Sequence, residues 1–292
     1  MMQNKEKLEY TGNLHVVEMP VYGASPSNNR KHLQTLPRKA IWVGHPTGQE
    51  EFLEVRTQRF TTIQNYDIFK AIADVAYDKG LNLQVQKSVY YNGKTTTNFL
   101  LPDAAFESPG DGDKLTPGIF HKNDFGGGGA NVFDPSCLKD WCSNGMVFGY
   151  HSLADPVVQR HVGEINEAVI YGLVETAFDR LDTAVHVIRA TAHISAATVV
   201  SDEDIVVFLK GLEEKTAKKY QEKLAEVVQD NISNLGQNAW GVIQGVSEMY
   251  QHHMNAPEHG GTKLAWRDRT IDDFLATVGV KEKVKVAVNL GR

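Results

Sequence analysis

The chain has 292 residues, 41% of them hydrophobic, enough to bury a sizeable core in one large body or two smaller ones. Its formal net charge of −6 argues against a protein that coats duplex nucleic acid through an overall positive field, though a local basic groove remains compatible with it. The start of the chain lacks an apolar signal region, and the most apolar long stretch, 165–200, is interrupted by Glu167, Glu175, Asp179, Arg180 and Asp182, so no signal peptide or membrane span is expected. Two cysteines, Cys137 and Cys142, are too few and too close for a disulfide framework, which predicts a reducing cytoplasm.

Residues 1–40 read as an N-terminal arm, because PVYGASPSNNRKHLQTLPRK is rich in Pro, Ser and Asn and has no sustained apolar period. From Ala40, AIWVGH, FLEVRTQRF and TTIQ carry strand-like alternation. A helix of three to four turns follows, with Asn65 as its cap, Ile68, Ile72, Val75 and Ala76 on one face and Lys79-Gly80 at its end. Next, LNLQVQKSVYY and TTTNFLLP alternate about Asn92-Gly93, a pair that tolerates positive φ at both positions and predicts a tight hairpin. Between 102 and 135 several prolines and the run Gly126–Gly129 read as a long mobile loop, with one short strand around GIFHK.

Beyond His151 the apolar period becomes helical. Ile165, Val169, Leu173, Ala177, Leu181, Val185 and Ile188 describe a long core helix, Ser201 with Asp204 starts another, and TAKKYQEKLAEVVQDNISNLG and NAWGVIQGVSEMYQHH add two more. The final VKEKVKVAVNLGR alternates lysine with valine and reads as an edge strand or a basic tail. The predicted fold is α+β: a β-meander half with one packed helix, then a helical half. The boundaries run 1–40 (arm), 41–155 (β-rich core), 156–265 (helical region) and 266–292 (C-terminal tail).

Cys137 and Cys142 with His151 and His161 lack zinc-site spacing, and His252, His253 and His259 beside Glu258 sit at a helix end, so no metal and no cofactor are expected. The run FGGGGAN lacks the following Gly-Lys-Ser/Thr of a P-loop, and no nucleophile, zincin or paired-carboxylate motif is present, which points away from an enzyme. Basic and aromatic residues on the strands are more informative. Arg56, Arg59, Lys87, Tyr91, Lys94 and Lys122 are the candidate nucleic-acid-binding set, since cations can track a phosphate backbone while aromatic faces support bases. A solvated sheet face with ordinary lysines is the plain alternative.

Two motifs resemble those of a known family. CSNGMV at 142–147 is similar to a Cys-x-Asn-Gly-Leu/Val motif, and NAWGVIQGVSEMYQHH at 238–253 is similar to a Thr-Ala-Trp-x-x-Tyr-Asn-Ala-x-Thr-Glu-Tyr helix, both of the phage/plasmid-like proteins, a family built on a domain of unknown function. Here Ile243-Gln244-Gly245 replaces Tyr-Asn-Ala and Ser247 replaces Thr. The resemblance implies a setting of phage or plasmid replication and brings no activity with it. The residues it marks, Cys142, Asn144, Gly145, Trp240 and Glu248, read as structural: Gly145 frees a backbone corner, Asn144 bonds the local chain and Cys142 packs as a small apolar group.

The order helix, hairpin, strand, long helix also resembles the core of single-strand annealing proteins. Those assemble as rings or filaments around single-stranded DNA and need charge neutralisation, a stacking surface and self-association rather than a catalytic residue. The expected partners are therefore single-stranded DNA and further copies of the chain. A phage structural or assembly protein is the alternative from another class.

Overall fold

The strand and helix signals assemble into an α+β fold. The computed structural model describes residues 11–24, 33–110, 112–126, 128–139, 156–213, 218–249 and 262–290. In chain order the elements are β1 (His15–Ala24), β2 (Leu33–Gly44), β3 (Glu50–Thr57), α1 (Asn65–Asp78), β4 (Gln84–Tyr91), β5 (Lys94–Leu100), β6 (Phe106–Glu107), β7 (Lys114–Asp124), β8 (Asn131–Lys139) and β9 (Val157–Gln159). The helices α2 (Glu167–Ala197), α3 (Asp202–Glu213), α4 (Lys218–Leu235), α5 (Ala239–Glu248), α6 (Thr262–Thr277) and α7 (Val280–Leu290) follow. One sheet has the order β1-β2-β3, and the other runs β4-β5-β7-β8-β9 with β6 on β7.

The chain divides into two compact units: Met1–Asp103 with Ile119–Asp134 and Pro156–Asp179, and Ala104–Gly118 with Pro135–Asp155 and Arg180–Arg292. In the first, the three-stranded sheet packs one face on a cluster of Leu14, Val16, Ile41, Val43, Phe60 and Phe125. Helix α1 lies against β5 and β7, where Phe69 meets Phe99 and His121 edge-on at 5.5 and 5.9 Å. Its interface is unusually polar. Asn65 Nδ2 donates to Thr11 O and Thr95 Oγ1, Asn123 Nδ2 donates to Asn65 Oδ1 and Ile63 O, and Ser88 Oγ shares hydrogen bonds of 2.6 Å with Thr11 Oγ1 and Thr97 Oγ1. Hydroxyl and amide groups buried together survive because each makes at least one hydrogen bond, although Asn123 Oδ1 makes none.

Asn65, the expected cap, is instead the first helical residue. Gln64 occupies the cap position without a side-chain cap bond, since its amide is engaged with both backbone polar groups of Val16. The helix stops as expected at Gly80, whose φ of +66° lets Leu81 N reach Ala76 O at 2.8 Å. The hairpin β4-β5 also forms as expected, with Asn92 at φ 46° and Gly93 at φ 72°.

Four expectations are corrected. The arm at 1–40 contains β1 and the first half of β2, paired from His15↔Gly44 to Ala24↔Leu33. Its apolar signal is short: among the residues whose burial is described, Val16 of β1 and Leu14 just before it are the buried apolar ones. Residues 102–135 are not a long loop: they hold β6, β7 and the start of β8. The inward positions of these strands mix Leu115, Ile119 and Phe133 with His121, Asn123 and Asn131, so the hydrophobic alternation is interrupted. Thr61–Gln64 forms no strand, and only Phe60 makes an isolated bridge, to Val162. The last segment is helix α7 rather than a strand or tail, because Val280 and Val284 are buried at helical spacing while Val286, the residue that fits only alternation, is 57% exposed.

In the second unit, α2 residues from Leu181 onward and α3 to α7 enclose an apolar core centred on Trp240, Val242, Ile243 and Val246 of α5. Asn238 caps α5 by accepting from Gly241 N at 2.9 Å. Helices α4 and α5 cross closely because α5 presents Gly241 and Gly245. A Cβ at Gly245 would stand 2.6 Å from Val228 Cα, and one at Gly241 would stand 2.8 Å from Gly236 O. Ser201 accepts from Asp204 N at 3.1 Å at the start of α3, the cap anticipated from sequence. No helix among the described residues is long and apolar enough to cross a membrane.

Candidate nucleic-acid interface

Strand β3 is an edge of its sheet, and beside it opens a cleft of about 670 Å³ within the first unit. Its lining comes from four separate stretches: Arg38 of β2, Val55, Arg56 and Thr57 of β3 with Phe60, the turn Gly128–Ala130, and Arg160 to Val162 after β9. The volume is in the range of ordinary ligand sites.

The cleft is cationic. Arg38 and Arg160 are exposed and have no ion-pair partner among the described residues. Arg56 is held from both ends: its Nε donates to Gly126 O at 2.6 Å, and its Nη2 pairs with Glu54. Its guanidinium carbon lies 5.9 Å from the Phe60 ring centroid, as does Lys39 Nζ. A half-neutralised arginine fixed in place beside two exposed ones leaves a net positive surface at the mouth.

His161 forms one wall, stacked on Phe60 with ring centroids 5.2 Å apart. Its Nδ1 lies 3.0 Å from Thr61 O, which can only accept, so Nδ1 carries the proton. Burial lowers its pKa, against the opposing effects of the Thr61 carbonyl and Asp124, and Arg56 lowers it further. The neutral ring is thus the resting form at neutral pH, an aromatic plate beside three arginines.

The glycine run now has a physical reason. Beneath it lies the buried carboxylate of Asp124, and a Cβ at Gly129 would stand 3.1 Å from Asp124 Oδ2, while one at Gly126 would stand 3.2 Å from Glu54 Oε1. A side chain at either position would press on an acidic group, so glycine lets backbone form the cleft surface beside them. Lys94 Nζ approaches Asp124 Oδ2 at 3.5 Å.

Of the residues singled out from sequence, Arg56 lines the cleft. Arg59 is exposed in the turn after β3 and is not part of the lining. Strand alternation puts Lys87, Tyr91, Lys94 and Lys122 on one face of the larger sheet: Thr95, Ser88, His121 and Asn123 point toward α1, and these four occupy the opposite positions. Tyr91 is 65% exposed, and Lys94 is committed to Asp124. Arg38, Arg160 and His161 were not recognised as cleft residues. Arg38 had been assigned to the arm, and Arg160 and His161 lie roughly a hundred residues along the chain from β3, a separation over which no local pattern carries information.

Trp240 is buried in the helical core, and Glu248 accepts from Asn231 Nδ2 at 2.8 Å across α4 and α5. Cys142, Asn144 and Gly145 lie outside the described residues. Cys137 is free and buried, and burial pushes its thiol pKa up. No group of His, Cys, Asp and Glu among the described residues is arranged to hold a metal ion.

No curated protein and no solved structure matches the chain. One family does, over residues 52–276, and the chain belongs to it: DUF932, a domain of unknown function.

Proposed function

We propose that the protein binds single-stranded DNA through the cleft beside β3 and anneals complementary strands in phage or plasmid recombination or replication, acting in the cytoplasm as a ring or filament of identical subunits. The observation that carries this reading is the convergence of Arg38, Arg56 and Arg160 on one open cleft floored by Phe60 and His161. Guanidinium groups hold phosphates without reading sequence, and ring faces tolerate any base. A chain of net charge −6 would gather such sites by lining subunits along one shared groove. The chain order α1, β4-β5 hairpin, further strands, α2 is the order expected of an annealing-protein core.

Arg38 and Arg160 are the clean probes. Lys94 is a poor one, because removing it would leave the buried Asp124 carboxylate without its nearest cation. Binding of a labelled oligothymidylate, followed by anisotropy from low to moderate salt, should weaken as salt rises. The Arg38→Ala, Arg160→Ala double variant should bind less tightly and lose about 1–2 units of salt slope, at about 0.7 unit per phosphate contact on single strands. Annealing of complementary oligonucleotides should fall in step. Absence of single-strand binding by the folded wild type at low salt would end this reading and favour a structural or assembly role.

A further inference from the structure

The outer face of the three-stranded sheet departs from the pattern expected of a solvated antiparallel sheet. Its inner face carries Ile41 and Val43, so the outward positions should be polar. In its two central rows they are apolar instead. Cross-strand rows place Val17 beside Trp42 and Trp42 beside Phe52, then Met19 beside Ala40 and Ala40 beside Val55. Phe52 is 48% exposed, Met19 41% and Val55 40%. Trp42 and Phe52 meet with centroids 5.1 Å apart at 60°, leaving both rings on the same outward surface.

This strip has a direction. The next row along it, one pleat repeat or about 7 Å further, is Arg38↔Thr57, and both of those residues line the cationic cleft, as does Val55. An aromatic pair and the sheet side of a cationic cleft therefore form one continuous surface. A purely apolar partner would leave the arginine end unmatched, and a purely anionic one would leave the rings unmatched. Single-stranded nucleic acid matches both, with bases for the rings and phosphates for the guanidinium groups.

We propose that Trp42 and Phe52 are the base-stacking platform of this protein, with the bases of a bound single strand lying on the outward face of the β1-β2-β3 sheet and its phosphates at Arg38 and Arg160. This rests on the single-strand-binding reading above and assigns the stacking role to residues other than Tyr91, which sits at the hairpin end of β4. Base identity contributes little here, because every base has a π-face. The face is open to a second strand in the way annealing requires.

The test compares an oligothymidylate with an abasic oligomer of equal length and phosphate count, on the full chain. The wild type should bind the abasic strand about 5- to 150-fold more weakly, the range expected for loss of base stacking on an aromatic side chain. Trp42→Leu and Phe52→Leu, which keep apolar bulk and so the sheet packing, should weaken oligothymidylate binding in the same range. They should leave abasic binding and the salt slope unchanged. Equal binding of the two oligomers by the wild type, or an equal loss on both oligomers in the variants, would overturn the platform while sparing the cleft. A change in subunit number in the leucine variants without any difference between oligomers would overturn it too, by showing that another copy covers the face. Failure of the wild type to bind either oligomer would sink the cleft reading and this inference together.

Discussion

Between α1 and its sheet, the unit that carries the cleft buries Asn65, Ser88, Thr95, Thr97, His121 and Asn123, whereas the helical unit fills its interior with Trp240, Val242, Ile243, Val246, Ile271 and Phe274. Buried hydroxyls also occur in the helical unit, but Thr191 and Thr198 donate to Val187 O and Ile194 O within their own helix and its end, and Thr198 accepts only a long 3.5 Å bond from Lys283. Polar groups in the first unit instead connect elements far apart in sequence. A connected polar interior fixes the register of helix and strands, because a shifted element leaves donors and acceptors unpaired, at about 1–3 kcal/mol each. An apolar interior is set by volume and is indifferent to pH. The two units should therefore fail under different insults.

The largest effect belongs to the apolar side. Trp240 is 1% exposed at the centre of the helical core, and Trp240→Ala should cost about 3–5 kcal/mol, from lost transfer energy and the cavity left behind. Urea denaturation measures the loss. Hydrogen exchange should place the lost protection in α4 and α5 and spare β4 and β5. Equal loss of protection in both places would break the comparison.

Acid should act the other way round. His121 is fully buried, with Nε2 2.8 Å from Asn131 Oδ1, and burial lowers its pKa from 6.5 to about 4. The unfolded chain takes up this proton below pH 6.5 and the folded chain only near pH 4. The contribution is present above the unfolded value and is lost as pH falls between the two, at about 1.4 kcal/mol per pH unit, levelling off below the folded value. His161 shifts in the same direction. The first unit should thus lose exchange protection at pH 5 before the helical unit does. His121→Gln, which keeps a hydrogen-bonding amide and removes the titration, should flatten that dependence.

Two glycines sharpen the contrast at a smaller scale. Gly245→Ala forces a Cβ against the Val228 backbone at 2.6 Å and should cost about 1–3 kcal/mol by prying α5 from α4. Gly172→Ala, on α2 in the first unit, meets nothing within 4 Å and should raise stability by about 1 kcal/mol through helix propensity alone. Thermal melts of the two variants should move in opposite directions.

How much of this was legible in the sequence follows the same division. Helices α2 to α5 announced themselves, since Ile188, Val228, Trp240 and Val246 face inward at a period the chain displays openly and Ser201 with Asp204 marked a helix start, whereas α6 and α7 fall largely in the stretch read as a tail. The hairpin was equally plain, because Asn92-Gly93 has one favoured geometry. Strand β7 was legible only around GIFHK, and β8 was missed, because His121, Asn123 and Asn131 occupy positions where alternation predicts apolar residues. Strand β1 was missed because Met19 faces out, beside Ala40 rather than with the core. Of the cleft, Arg56 was legible as a strand cation. Its companion Arg38 is brought to it by the pairing of β2 with β3 and Arg160 by the chain after β9, and no periodicity encodes that meeting.

The smallest expected effect compares how the two units begin a helix. In the helical unit Ser201 is an exposed cap for α3, accepting from Asp204 N, and Ser201→Ala should cost about 1 kcal/mol. In the first unit Gln64 stands at the cap of α1 but spends its amide on Val16, accepting from Val16 N at 2.9 Å and donating to Val16 O at 3.1 Å. Gln64→Ser would supply a good cap, worth about 1 kcal/mol, and remove two hydrogen bonds worth about 0.5–1.5 kcal/mol each. The lost pair should outweigh the gained cap, because Val16 is buried and its amide would have no water to turn to. The expected outcome is a net loss of stability below about 2 kcal/mol, with faster exchange at the Val16 amide and slower exchange in the first turn of α1. Net stabilisation would mean that β1 is held by its pairing with β2 alone, and that the polar links of this unit contribute less to its register than its apolar cluster does.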